Sequence, residues 1–553
     1  MKKVLALVLA MLLCLSAVAL AEVPAISAPG ELPLITEDYT ITIGLPTNPQ
    51  VLDYYDNALT KRIQDESGVT LDFFFFPASG DEAKQKLTLM VTSGQELPDI
   101  ITGINLAMND VASYGANGYF VDINQYLDEY GYFWKQTVEE WCTEDEKKNL
   151  TKLITSPDGG LYSFPNWYSD PSDPQCYAMW INTTWLDKLG LSMPTTTDEL
   201  YDVLVAFRDG DPNGNGIADE IPLVGGKGWI MDPVMVLMNA FTYYTGGFYN
   251  HMMCADNDGK VYAQYLTDGF KEGLKYLNKL YSEGLISDLS FTQDYSGGLA
   301  ALCESDPQVV GVFVGHPELC FGKSSYNRTC YTYVTPIAGP EGIAYCPEEA
   351  AMPSGTTHIT NQCESPELAM RLLDYFCKPE TSLSMRYGEQ DIDWWLLTDE
   401  QIASATPRMP DSPYSIYYDS PNLVIGTEQK KTYGIWTLMM VPPSMFGAIP
   451  AGQYPDDPYM QYREDDFWAS VSSRLGKKPA NTISRLIYTE DESFAISEIE
   501  TSLSTYVKES ITAFMMGSMD VDAQWDEFVD TCKGIGVDYF VEVVQGVYDR
   551  MNG

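Results

Sequence analysis

Ten residues, Asp211-Pro212-Asn213-Gly214-Asn215-Gly216-Ile217-Ala218-Asp219-Glu220, place oxygen-bearing side chains at alternate positions around a glycine that permits a sharp turn. A hard cation such as Ca2+ takes roughly six to eight oxygens at about 2.3–2.6 Å. Asp211, Asn213, Asn215, the carbonyl of Ile217, Asp219 and Glu220 could supply them from this one segment. The spacing departs from an EF-hand at the last position, where Pro222 stands in place of a bidentate Glu, so closure falls to Glu220. No His lies near and little room is left for a catalytic water, so the chemistry read here is structural Ca2+ binding. The same stretch also suits a metal-free Asn-Gly turn, since such dipeptides mark turns on their own account.

A second group of residues suits a sugar, which offers apolar C–H faces and rings of hydroxyls to flat aromatics and planar polar groups. The candidates are Trp167 with Tyr168, Trp180, Trp229, Tyr243-Tyr244 with Phe248-Tyr249, and Trp394-Trp395 following Glu389, Asp391 and Asp393. In a chain with 11 Trp and 37 Tyr, any single aromatic is more often core than cleft. The adjacent pairs stand out because sequence neighbours do not easily bury on one face. His316, preceded by the apolar Val309 to Val314, reads as a satisfied residue at a strand end. A carboxylate pair such as Glu389 and Asp391 could act across a glycosidic bond. No GxSxG, HExxH or P-loop pattern accompanies it, and no catalytic residue is assigned.

The elements that must carry these groups begin after a leader. Met1-Lys2-Lys3, the apolar Val4 to Leu13 and Ala19-Leu20-Ala21 form an export signal cut before Glu22. A lipid anchor on Cys14 would need a small residue before it, and Leu13 is bulky. The expected product is secreted, extracellular or periplasmic, with cell-surface association left open. No later apolar run reaches the ~20 residues that span a bilayer. Losing Lys2 and Lys3 takes the formal charge from −45 to −47, which repels phosphate backbones and excludes nucleic acid as a partner. Ten cysteines remain once Cys14 is removed, none in a CxxC, and both a disulfide framework and buried free thiols fit them. Three histidines, none at i,i+4, argue against a zinc site.

Strand and helix patterns alternate from Tyr39 onward. Tyr39 to Ile43 and Val69 to Phe76 read as strands. Leu59 and Ile63 share a helical face before Gly68, and Asp81 reads as the cap of a helix whose Ala83, Leu87, Met90 and Val91 form its apolar stripe. Leu97 to Thr102 is the next strand. Thr196-x-x-Glu199 is a capping box for a helix that leads into the Asp211 loop. Near the C-terminus, Leu503, Tyr506, Val507, Ile511 and Phe514 share one helical face, and Trp525, Phe528, Val529 and Cys532 another. Alternation of this kind predicts mainly parallel sheets covered by helices.

Four stretches carry a family resemblance: Ser93 to Ile100; Trp185-Leu186-Asp187-Lys188-Leu189-Gly190-Leu191 with Pro194 and Thr197 to Leu200; the Asp211 loop with Ile221-Pro222; and Thr505 to Glu509 with Trp525 to Phe528. The chain resembles bacterial extracellular solute-binding proteins of carbohydrate ABC transporters, in particular the alginate-binding and LipO-type subgroup. The resemblance implies a two-lobed, hinged α/β fold of the type II periplasmic-binding-protein kind, each lobe a mainly parallel sheet flanked by helices. It implies a signal peptide over 1–21, a first lobe from 22–178 plus 350–425, and a second from 179–349 plus 426–553. Interlobe crossings would lie near Tyr177 to Ile181, near Tyr345 to Met352 and after Trp395. The alginate-binding relatives hold a structural calcium in a loop that Asp211, Asn213, Asn215, Asp219 and Glu220 match, with Ile217 in place of a Lys. The implied partners are an oligosaccharide and ABC permease subunits, the implied chain a monomer. A secreted carbohydrate-active enzyme, and the same fold binding a peptide or other small solute, are the alternatives.

Overall fold

The computed structural model describes residues 24–552 apart from 49, 50, 52, 168–177, 227–230, 247–251, 294–297, 323–324, 348–352, 388–389, 392–393, 397, 399, 401–405, 408–415, 419–447, 450–465, 468, 480 and 484. The leader, Tyr168, Trp229, Glu389, Phe248-Tyr249 and Asp393 therefore lie outside the described residues.

Strands β1 (Thr40–Pro46), β2 (Thr70–Phe76) and β3 (Ile100–Ile101) form the first sheet with β10 (His358–Ile359), in the order β10-β3-β1-β2. The second sheet joins β4 (Met179–Asn182), β5 (Ile221–Val224), β8 (Val310–Val314) and β9 (Tyr331–Val334) in the order β5-β8-β4-β9. A hairpin of β6 (Met253–Ala255) and β7 (Val261–Ala263) stands beside it. In the first sheet β1 pairs parallel with β2 and β3, while β10 runs antiparallel to β3. In the second, β5 and β8 are parallel, and β4 runs antiparallel to both β8 and β9. Each sheet thus has three strands running together and one against them. The reversed strand is in each case the first one laid down after the chain changes sheet. It sits at the edge in the first sheet and inside the second.

Alternation along the strands sends neighbouring residues to opposite faces, and both faces are buried. Ile100 joins one core and Ile101 the other; Met179 and Ile181 face one core, Trp180 its opposite. The helix Pro366–Phe376 packs into the first lobe's core through Leu368, Leu372 and Phe376. The terminal helices Glu490–Met515, Val521–Ile535 and Val537–Asn552 pack into the second through Val507, Phe514, Phe528 and Val544. The lobes also touch directly: Asn109 Nδ2 donates to Ser493 Oγ at 2.8 Å, and Arg485 Nη1 to the Pro353 carbonyl at 3.3 Å.

Local signals were met with small shifts. The helix Gly80–Ser93 buries the expected Ala83, Leu87, Met90 and Val91, but its cap position is Ser79, and Asp81 lies in the first turn near the helix dipole's positive end. The strand within the expected Leu97 to Thr102 stretch is confined to Ile100–Ile101, with the Thr102 N–H still donating to the Gly44 carbonyl at 2.8 Å. Thr196 does accept from the Glu199 N–H, yet the Glu199 carboxylate reaches past it to the N–H and hydroxyl of Thr195, at 2.8 and 2.7 Å. Nine cysteines among the described residues are buried free thiols. No helix of the described residues is long and apolar enough to cross a membrane.

Candidate functional site

Strand direction locates the site. In open α/β sheets a ligand sits outside the carboxyl ends of the strands, where side chains and free backbone groups project beyond the ladder. In the first sheet those ends lead to Thr47-Asn48, Pro77 and Thr102. Because β10 is reversed, with His358 opposite Ile101, its entry Ser354 to Thr357 reaches the same rim. There Thr102 and Thr357 hydroxyls meet at 2.8 Å. In the second sheet the carboxyl ends lead to Gly225-Gly226, Gly315-His316 and Thr335. β4 enters at this rim too, since Met179 lies opposite Val314. The two changes of sheet are therefore made at the two rims, and they are tied together. Asn166, just before the first change, accepts from Ser354 Oγ at 2.7 Å and from the Ser354 N–H through its carbonyl at 2.9 Å.

The second rim is built closely. A Cβ on Gly225 would lie 2.2 Å from the Met231 carbonyl, so only glycine leaves room for the Met231 backbone here. Trp180 donates its Nε1–H to the Gly315 carbonyl at 2.9 Å and carries the Arg328 guanidinium over its ring at 4.8 Å. Arg328 pairs with Asp466 at 3.0 Å. Burial raises the Asp466 carboxyl above the usual range against the opposing pull of Arg328. Beside them the rings of His316 and Phe467 lie 4.8 Å apart. In the first lobe His358 is fully buried, stacked on Phe120 at 4.3 Å with Nδ1 against the Tyr162 carbonyl at 2.8 Å. Burial pushes it down to about 4, so it stays neutral at neutral pH.

Three expected ligand aromatics lie in cores. Trp167 and Trp180 are fully buried and Tyr244 is 5% exposed, packed against Phe270. Phe313 stacks on Trp180 and Arg328 lies over its ring, so Trp180 backs the second rim instead of lining it, while Tyr244 packs edge-on with Phe270 in the core. Trp394 and Trp395 fall in a short strand, Trp394–Leu396, antiparallel to Ile416–Tyr418; Trp395 is half-buried. Asp391 is exposed and adopts a left-handed φ of 64°. Asn48 and His316 stand at the rims, and the fully buried Thr102 and Thr357 support the first rim from behind. Their only sequence signal is position, a polar residue within two positions of an apolar strand.

The Asp211 loop closes on itself. Asn213 Nδ2 and Asn215 Nδ2 donate to the Asp219 carboxylate at 2.9 and 3.1 Å, and the Gly216 N–H donates to Asp211 at 3.2 Å. Gly216 has the left-handed φ of 73° that the sixth position of such a loop needs. Asn213 and Asn215 oxygens accept the N–H groups of Asn215 and Ile217 at 3.0 and 2.6 Å. One Glu220 oxygen is buried without a hydrogen-bond partner, an acceptor that a cation would satisfy. Among the described residues no three His, Cys, Asp or Glu side chains converge to hold a metal. A cation here would have to draw on the amide oxygens and the Ile217 carbonyl as well as the carboxylates, and these groups fit Ca2+.

The family model for bacterial extracellular solute-binding proteins matches residues 49–301. FusA, a fructooligosaccharide ABC transporter substrate-binding protein of Streptococcus pneumoniae, is 26% identical over 525 residues, 92% of this chain and 89% of that one. A solved structure of an S. pneumoniae FusA EF-hand mutant in complex with fructo-nystose matches with a TM-score of 0.70 at 24% identity, over 92% of this chain and 99% of that one. The alginate-binding protein AlgQ2 without calcium ion matches at a TM-score of 0.66 and 21% identity, over 93% and 98%. These structural likenesses speak for the fold. By sequence this chain is similar to bacterial extracellular solute-binding proteins, and it shares their fold.

Proposed function

We propose that the chain captures an oligosaccharide between the two strand-end rims and passes it unaltered to the permease of an ABC importer. The observation that carries this reading is the meeting of both sheets' carboxyl ends with both changes of sheet, tied by Asn166 and Ser354. A ligand lying there touches both lobes and favours their closure, while the crossings act as the hinge. The similarity to a fructooligosaccharide-binding protein supports a sugar as the solute. Tyr168 and Trp229 follow or precede rim segments in sequence and are our candidates for stacking; Glu389, Asp391, Trp394 and Trp395 are candidates for the crevice margin. Trp167, Trp180 and Tyr244 act behind the rims, as rigid backing.

On this reading the protein is no enzyme. It is exported through the Ala19-Leu20-Ala21 signal, works as a monomer outside the cytoplasmic membrane, and holds a structural Ca2+ through Asp211, Asn213, Asn215, the Ile217 carbonyl, Asp219 and Glu220. Relatives described by an EF-hand and by a calcium-free form support the metal. The ion would supply the positive charge that lets these oxygens converge ahead of β5.

A glycan screen with recovery of the ligand tests the function. At least one oligosaccharide should bind and be recovered intact, and Tyr168→Ala or Trp229→Ala should weaken it by about 1–3 kcal/mol. Absence of any saccharide ligand would turn the reading toward another solute. Recovery of cleaved product would turn it toward an enzyme.

A further inference from the structure

The second lobe holds an open pocket of about 600 Å3, walled by Thr184, Asn213, Asp306, Gln308, Tyr326 and Asn327 among others. That is within the range of about 300–1,000 Å3 typical of small-molecule sites. Strand direction places it. Thr184 follows the carboxyl end of β4, Asp306 and Gln308 precede the amino end of β8, and Asn327 precedes the amino end of β9. Since β4 runs against β8 and β9, all these ends lie along one edge of the sheet. It is the reverse of the edge that carries Gly225, Gly315 and Thr335. Asn213, in the loop that leads into the amino end of β5, belongs to the same far edge.

The wall chemistry is that of a polyol site. Tyr326 is 66% exposed, whereas Tyr331, Trp180 and Phe313 nearby in sequence or sheet are buried. A free tyrosine ring offers a flat apolar face and a hydroxyl together. Around it, polar groups are half used. Gln308 accepts from Asn182 Nδ2 through its oxygen at 2.9 Å, which leaves its Nε2–H groups to donate. Asn327 spends its Nδ2 on the Cys303 and Ser305 carbonyls at 3.1 and 3.0 Å, which leaves its oxygen to accept. The Asp306 carboxylate is exposed and stands ready to accept. The surroundings are braced: Glu304 accepts from the Gly322 N–H and the Ser325 hydroxyl at 2.7 and 2.6 Å, and Lys188 donates to the Pro212 carbonyl at 2.7 Å.

Donors and acceptors of this kind, mixed around an aromatic face, match neighbouring hydroxyls that both give and take a hydrogen bond. An anion would meet Asp306 and Glu304, while the Lys188 ammonium in the same wall is engaged by the Pro212 carbonyl, and a bare cation would leave the Gln308 amide and the tyrosine ring without use. We propose that this pocket is a second glycan site, holding one or two units of a neutral saccharide at the pole of the lobe opposite the crevice. The inference stands apart from the crevice reading, because none of these residues lies on either rim.

Calorimetric titration of the full chain with 1-kestose, maltotriose and chitotriose, in wild type, Tyr326→Ala and Gln308→Ala, tests it. At least one sugar should fill a weak class of sites that Tyr326→Ala weakens about tenfold while leaving any tighter class within about twofold. Should the crevice reading alone be wrong, the tight class is missing and the Tyr326-dependent class remains. Binding insensitive to both substitutions, or no binding of any of the three sugars, overturns the site.

Discussion

Among the described residues each lobe buries an arginine–aspartate pair, and the two pairs are wired in opposite ways. In the first lobe Arg371 and Asp374 are three residues apart on one helix, 3.3 Å from each other and fully buried. Their other bonds are remote: Arg371 donates to the Ala28 and Glu31 carbonyls at 2.9 and 3.1 Å, and Asp374 accepts the Trp134 N–H at 2.9 Å. In the second lobe the ion pair itself is remote, Arg328 to Asp466, while Arg328 spends its second bond locally on the Tyr331 carbonyl at 3.1 Å. The first pair thus fastens the N-terminal segment by hydrogen bonds to neutral carbonyls. The second fastens the segment returning at 466 by charge. A hinged receptor needs lobes that move as rigid bodies, and each pair anchors a distant segment to its lobe by a different means.

The largest effect should come from breaking the charged tie. Arg328→Met leaves Asp466 buried without its cation and removes the stack on Trp180, so unfolding in denaturant should show a loss of about 3–5 kcal/mol. The double change Arg328→Met with Asp466→Leu should recover much of it. If the single change costs little, the wiring contrast fails.

Titration sharpens the comparison within the first lobe. Burial pushes Asp374 up to about 6 from its ordinary 3.8, outweighing the N–H bonds and Arg371. A raised carboxyl favours folding below the unfolded value and loses that contribution as pH rises through about 6. His358, held down at about 4, works the other way: its contribution is present above about 6.5 and lost as pH falls through about 4. Each is worth on the order of 2–3 kcal/mol, with opposite sign over one window. Asp374→Asn should therefore make stability fall more steeply on acidification than in wild type, and His358→Gln less steeply. Parallel pH profiles in all three proteins would contradict the assignment.

Chelation addresses the second lobe alone. If Ca2+ fills the Asp211 loop at a hundredfold excess over its Kd, its removal should cost about 2.7 kcal/mol and lower the melting temperature. Asp219→Ala should do the same and become insensitive to chelator. An unchanged melting temperature, with no ion in the native protein, would leave the loop a plain Asn-Gly turn.

What the sequence made legible follows from how local each feature is. Helix stripes such as Ala83-Leu87-Met90 and Leu503-Val507-Phe514 were readable because their partners lie within a few turns. The Asp211 loop was readable for the same reason, with all its oxygens inside ten residues. The rims were not. Thr102 and Thr357 are brought together by the register of β10 on β3, across 255 residues, which no local pattern encodes. Trp180 suggests a ligand by its type, yet it lies in a strand buried on both faces, where an aromatic is packing. Asp466 and Arg328 carried no signal at all, because an ion pair 138 residues apart has no sequence period.

The central claim is that a saccharide bridges two rigid lobes and closes them without being changed. Small-angle scattering of the protein with and without a bound oligosaccharide, followed by mass analysis of the recovered sugar, tests it most directly. The account predicts a smaller radius of gyration in the complex and an intact sugar. A bound sugar that leaves the radius unchanged, or one recovered in pieces, would contradict it.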